Sequence, residues 1–155
     1  MICFPNAKIN LGLHIVSKRP DGYHTIETIF YPVGLKDALE IIPQDSSAPS
    51  LNEKGFRFFP SGIPIKGETE DNMVIKAFNL LATEKQIPPI DIYLLKKIPF
   101  GAGLGGGSSN AAFMLKLLNA TFALGCSDDN LRDFAAQLGA DCAFFIKNKP
   151  AYSFG

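Results

Sequence analysis

Between Pro99 and Leu118 the chain reads "PFGAGLGGGSSNAAFMLKLL": five glycines fall between Gly101 and Gly107, and a run of good helix formers follows at once. A glycine costs up to about 1 kcal/mol relative to alanine in an ordered element, because it loses more conformational freedom on folding. Packing offers nothing in return, so such a concentration serves a backbone that must turn through φ > 0 or approach something closely. The helix that follows brings unpaired N–H groups and a partial positive charge to its start. A glycine-rich approach to a helix N-terminus is therefore a candidate cradle for an anion, most often phosphate. The strand pattern "IDIYLLKKI" just before it sets the loop between strand and helix, so the chain must combine both element types.

The rest of the pattern agrees. In "AKINLGLHI" Ala7, Ile9, Leu11, Leu13 and Ile15 alternate with Lys8, Asn10, Gly12 and His14, which predicts a half-buried strand. "RPDGYH" is turn chemistry, and "TIETIFYPV" predicts a second strand, limited by Pro32 and antiparallel to the first. "DALEII" and "FRFF" predict further strands, with "PQDSSAPSLNEKG" a surface loop between them. In "DNMVIKAFNLLATEK" Val74, Ala77, Phe78 and Leu81 fall at i, i+3, i+4 and i+7, a helix with Asp71 as its cap. "DDNLRDFAAQL" predicts a helix that starts after a Ser127 cap and stops at Gly139, read as the C′ residue. Asp141 comes next, then the apolar "CAFFI" and the start of a strand at "AYSFG".

Bulk properties bound the partners. With 155 residues, 46% apolar and 19% charged, the chain is expected to be one globular domain with a real core. Fifteen basic and fifteen acidic side chains cancel, so no global field directs it to nucleic acid or an acidic membrane, and an anion must be recognised locally. Cys3, Cys126 and Cys142 are odd in number and without a CxxC pair, which suits reduced thiols. Neither a signal peptide nor a membrane-length apolar run is visible, and a soluble, cytoplasmic protein is expected.

Two common glycine motifs do not fit. The Walker pattern can be laid on Gly101 to Gly106, but Gly107 stands where its lysine is required. The dinucleotide fingerprint matches formally at Gly101, Gly103 and Gly106, yet it needs a second parallel strand after the helix, where Ser127 to Leu138 has a helical pattern. Proline, glycine loop, paired serines and small residues on a helix instead resemble the phosphate loop of the GHMP kinases, named for galactokinase, homoserine kinase, mevalonate kinase and phosphomevalonate kinase. "PNAKINLGLHI", "RPDGYHTIET" and "LGADCAFFI" are similar, in the same order, to segments of the branch of that family whose acceptor is cytidine diphosphate methylerythritol.

The resemblance implies an α+β fold of the ribosomal protein S5 domain 2-like type, a mixed sheet with helices packed on one face, over residues 1–155. It also implies a ferredoxin-like second domain beyond this chain, which is then expected to be the ATP-binding part of a longer protein. The implied activity is ATP-dependent phosphorylation of a hydroxyl on the cytidine-linked methylerythritol, in the non-mevalonate route to isoprenoid precursors. A mevalonate- or homoserine-type kinase, or a nucleotide-binding piece without turnover, are the alternatives. Phosphorylation assays across the three acceptors separate the first, and ATP affinity measured beside turnover separates the second. The implied partners are ATP and a small molecule, without nucleic acid or membrane; oligomeric state is left open.

Residue by residue, the family likeness makes Lys8 and Asp141 the catalytic pair, the lysine steadying charge on the transferring group and the aspartate acting as base. Asn10, Tyr23 and His24 would contact the acceptor, the latter two by stacking on and hydrogen-bonding to cytosine. Asn72 and Lys96 match positions near adenine. Pro99, Phe100, Gly101, Ala102, Gly103, Leu104, Gly105, Gly106, Gly107, Ser108 and Ser109 would wrap the phosphates, the two hydroxyls reaching phosphate or magnesium. Without an acidic cluster of metal-binding spacing, Mg²⁺ is expected to be held by ATP and water.

Overall fold

The computed structural model describes residues 1–18, 24–44, 55–65 and 67–154, without the side chains of His24 and Ile26. The expected turn at 19–22, Tyr23 and most of the loop "PQDSSAPSLNEKG" lie outside the described residues. Seven strands are described: β1 (Ile2–Cys3), β2 (Asn6–Lys18), β3 (His24–Lys36), β4 (Ala38–Pro43), β5 (Phe56–Gly62), β6 (Ile90–Lys96) and β7 (Ala151–Phe154). Four α-helices accompany them: α1 (Met73–Glu84), α2 (Gly106–Phe122), α3 (Asp128–Leu138) and α4 (Cys142–Lys147).

The strands form two sheets. One is mixed, in the order β1-β4-β6-β5, with β5 and β6 parallel and the other pairs antiparallel. Alternation decides its faces: Leu39, Ile41, Ile92 and Leu94 are buried, while Ile42, Tyr93 and Leu95 point outward. The inward set joins Val74, Ala77, Phe78 and Leu81 of α1 and Ala111, Met114, Leu115 and Leu118 of α2 in one core. The expected mixed sheet with helices on one face is therefore present.

The second sheet is antiparallel, in the order β2-β3-β7, and it corrects the reading of the first hairpin. Ala7 is fully buried, but Leu11, Leu13 and Ile15 are 47%, 57% and 65% exposed. The described helices bury only the first part of β2, and the pairing register slips between Leu11 and Leu13, so alternation did not translate into a buried face there. Pro32 does not limit β3, which runs on to Lys36. Pairing with β7 stops at Phe30, leaving Pro32 on an edge where a missing N–H is tolerated.

Helix ends bring two further corrections. Asp71 belongs to a short 3₁₀ turn, Thr69–Asp71, and the α1 cap is Asn72, whose side chain accepts from the Val74 N–H at 2.9 Å. Ser127 caps α3 as expected and forms a reciprocal capping box with Asn130. Gly139 ends α3 with φ 165°, extended backbone rather than the left-handed C′ conformation. "CAFFI" is the body of α4, with Cys142, Phe145 and Ile146 buried at i, i+3 and i+4.

Candidate active site

The glycine segment becomes a loop from Pro99 to Gly105 followed by the 17-residue helix α2. Gly101, Gly103 and Gly105 have φ of 69°, 72° and 67°, conformations that L side chains rarely adopt. Gly105 is also the N-cap, and a Cβ there would stand 3.1 Å from Lys8 Cγ and from the Phe145 ring. At Gly106 a Cβ would meet Ile98 at 2.8 Å and Lys96 Nζ at 3.1 Å. The loop thus lies against β2, β6 and α4 at distances that only glycine permits. A hollow of about 280 Å³ opens on it, lined among others by Met73, Phe100, Gly103, Gly107 and Ser108.

Lys8 is held at this loop by its own backbone, whose N–H donates to the Leu104 carbonyl at 2.9 Å. Far from being a solvated strand residue, it is 5% exposed. Its ammonium donates to Asn10 Oδ1 at 2.5 Å, lies 3.3 Å from Asp141 Oδ2, and sits 4.6 Å above the centre of the Phe30 ring. A buried ammonium needs compensation of this kind, by a carboxylate, an amide oxygen and an aromatic face. The Asp141 side chain is 34% exposed, so of the pair it is the carboxylate that opens to solvent.

The two partners come from distant parts of the chain, and an amide pair fixes their approach. Asn148, which closes α4 in the left-handed conformation, donates to Asn6 Oδ1 at 2.6 Å and accepts from Asn6 Nδ2 at 3.2 Å. Asn6 begins the strand carrying Lys8, and Asp141 immediately precedes the helix that Asn148 ends. Lys8, Asn10, Asp141 and the glycine loop are therefore one constellation.

Other expected site residues are placed differently. Asn72 and Lys96 both line a smaller cleft of about 80 Å³ with Met73, Phe100 and Gly107, beside the loop. The Asn72 oxygen is committed to the helix cap, and Lys96, 2% exposed, donates to Asp37 Oδ2 at 2.6 Å and Asn110 Oδ1 at 3.1 Å. Ser108 bonds the Cys142 thiol; burial pushes that thiol up, the neighbouring Asp141 charge pushes it further, and the Ser108 bond pulls it partly back. Ser109 is fully buried and its Oγ has no hydrogen-bond partner among the described residues. His24 opens β3 opposite Lys18, and Tyr23 lies outside the described residues.

Sequence reasoning missed Phe30, Asn6 with Asn148, and Asp37. The signal for Asp37 was its place at the junction of two apolar strand patterns, in "GLKDAL". Asn6 and Asn148 are 142 residues apart and carry no local signal.

Comparison with known proteins supports the same region. A family model described as the GHMP kinases N terminal domain matches residues 72–149. A 4-diphosphocytidyl-2-C-methyl-D-erythritol kinase of Bacteroides fragilis is 60% identical over 155 residues, which are 100% of this chain and 55% of that protein. A crystal structure of a 4-(cytidine 5'-diphospho)-2C-methyl-D-erythritol kinase superposes with TM-score 0.80 at 35% identity, covering 100% of this chain and 52% of that one. The phosphomevalonate kinase of Streptococcus pneumoniae has TM-score 0.68 at 13% identity over 100% of this chain and 48% of its own, a likeness of fold alone. The chain spans about half the length of the curated relatives it matches. With the family model on the glycine loop, the α2–α4 helices and Asp141, this chain belongs to the GHMP kinases.

Proposed function

We propose that the protein containing this chain transfers the γ-phosphoryl group of ATP to a hydroxyl of 4-diphosphocytidyl-2-C-methyl-D-erythritol. One observation carries the reading: the Lys8–Asp141 pair stands at the glycine loop, tied to it through the Leu104 carbonyl. The 60% identical relative bears the name of that kinase, which supports the choice of acceptor.

The chain's residues divide the work. Loop N–H groups and the α2 N-terminus hold phosphate oxygens at the hollow that Gly101, Gly103 and Gly107 line, where a Cβ on Gly101 or Gly103 would meet nothing within 4 Å. The acceptor hydroxyl meets the half-buried Asp141 carboxylate, which takes its proton as the new O–P bond forms and the bond to the leaving ADP oxygen breaks. Lys8, 3.3 Å away, orients Asp141, and its ammonium offsets charge on the transferring group. Asn10 fixes the ammonium and is assigned to the acceptor. Tyr23 and His24 are assigned to the cytidine, and Asn72 and Lys96 to the neighbourhood of adenine, in a cleft both of them line. Magnesium is assigned to the nucleotide: among the described residues no group of three or more His, Cys, Asp or Glu could hold a metal ion.

The test is a kinase assay of the full-length protein with ATP, magnesium and the cytidine-linked acceptor, run beside mevalonate and homoserine. ADP formation dependent on the first acceptor is expected; turnover with another acceptor alone overturns the assignment. His24→Ala should chiefly raise KM for the cytidine substrate and leave KM for ATP nearly unchanged. A shift in the ATP constant would mean that the two pockets are misassigned.

A further inference from the structure

A buried carboxylate outside this machinery holds both flanks of the glycine loop. Asp37 is 1% exposed and stands between β3 and β4, at the point where the chain crosses from the three-stranded sheet to the four-stranded one. Four donors converge on it. Oδ1 accepts the Lys97 N–H at 2.6 Å and the Ile98 N–H at 2.8 Å; Oδ2 accepts Lys96 Nζ at 2.6 Å and Asn110 Nδ2 at 2.9 Å. Lys97 and Ile98 lead into Pro99, the first residue of the loop, and Asn110 lies in the opening turns of α2. Its own N–H donates to the Pro5 carbonyl at 2.9 Å, on the opposite crossing, three residues before Lys8.

We propose that Asp37 is a positioning residue for phosphoryl transfer, fixing the glycine loop to the strand of Lys8 so that ATP binds to a preorganised cradle. The inference rests on the kinase reading above. Loop closure explains why one carboxylate suffices: the segment from Ile98 to Asn110 holds five of the chain's glycines and would lose much conformational freedom on binding. Pinning both ends in the free protein removes part of that loss from the binding step. Charge balance explains the chemistry chosen. A carboxylate can take two backbone donors and still neutralise the buried Lys96, where a neutral acceptor would leave an unpaired ammonium beside Gly106.

The test separates the acceptor from the ion pair. In full-length protein carrying Lys96→Met, which removes the ammonium, Asp37→Asn keeps an oxygen for the two backbone N–H groups and Asp37→Leu removes it. KM for ATP in the Leu variant should exceed that of the Asn variant by about tenfold or more, with KM for the acceptor within about twofold, since only one site is misplaced. Equal ATP constants, or equal shifts in both KM values, overturn the proposal. Wild-type protein provides a second readout that needs no variant to fold. Because coupling is reciprocal, ATP must slow amide hydrogen exchange at Lys97 and Ile98 more than at Ile92, farther back on β6. Uniform slowing overturns the proposal. Absence of ATP binding by wild type, seen by calorimetry, instead sinks the kinase reading and the inference with it.

Discussion

Gly105 and Asp141 show how little a residue's local setting says about its task. Gly105 combines φ of 67° with 3.1 Å approaches to Lys8 and Phe145, so a side chain there is strained and also displaces the lysine. Gly105→Val should abolish ATP binding in a calorimetric titration, because a β-branched residue is a genuine outlier at that φ; wild-type affinity would make the loop merely structural. Asp141→Asn should lower kcat by roughly 10²- to 10⁴-fold with ATP affinity preserved, the range of a positioned base. An unchanged kcat excludes the assignment. Lys8→Ala should act in the same direction and combine less than additively with Asp141→Asn, since the two groups lie 3.3 Å apart and are proposed to act as a unit.

Among the elements, α3 and the β5–β6 pair offer measurements independent of the site. The Ser127–Asn130 box lies at the start of α3, so Ser127→Ala should cost about 1 kcal/mol in denaturant unfolding and leave ATP affinity unchanged. In the parallel pair β5–β6, Arg57 and Asp91 face each other in register, and the guanidinium forks onto the carboxylate, which also accepts from Gln44. The Arg57 hydrogen bond holds the Asp91 carboxyl below its ordinary 3.8, against the opposing effect of burial. The unfolded chain therefore takes up this proton first as pH falls. The contribution is fully present above 3.8 and disappears as pH drops through the lower folded value. The Tm difference between wild type and Asp91→Asn should be largest near neutrality and shrink below 3.8. A difference independent of pH would show that the pair adds nothing through charge.

At the scale of the molecule, the hairpin β2–β3 carries apolar side chains that the described residues leave exposed. Leu13, Ile15 and Val16 are all more than half exposed, as are Tyr152 and Phe154 on the neighbouring β7. Apolar patches of this kind commonly mark contact surfaces. The relatives are about twice as long, and a second, ferredoxin-like domain is proposed to close the cleft over Lys8 and Asp141. An open site admits water and loses orientation. Residues 1–155 alone should therefore turn over at least about a hundredfold more slowly than the full-length protein, on the scale of lost positioning. Comparable kcat/KM values in matched steady-state assays would overturn this.

The sequence alone determined what local chemistry controls: the glycine loop between strand and helix, the apolar stripe of α1, the Ser127 cap, and through four matched segments the family. In the α1 stripe, the Ser127 cap and the placing of the glycine loop, the signal acts over a few residues, and there the reading and the structure agree. Where partners are remote, they part. Lys8 reads as a polar strand residue, yet α4 and the loop bury it; Leu13 reads as core, yet nothing described lies over it. Asp71 precedes a helix as a cap should, but a 3₁₀ turn takes it and passes the task to Asn72. Only the tertiary structure brought Asp37 onto residues 60 and 73 positions away, because a buried carboxylate finds donors by packing rather than by spacing.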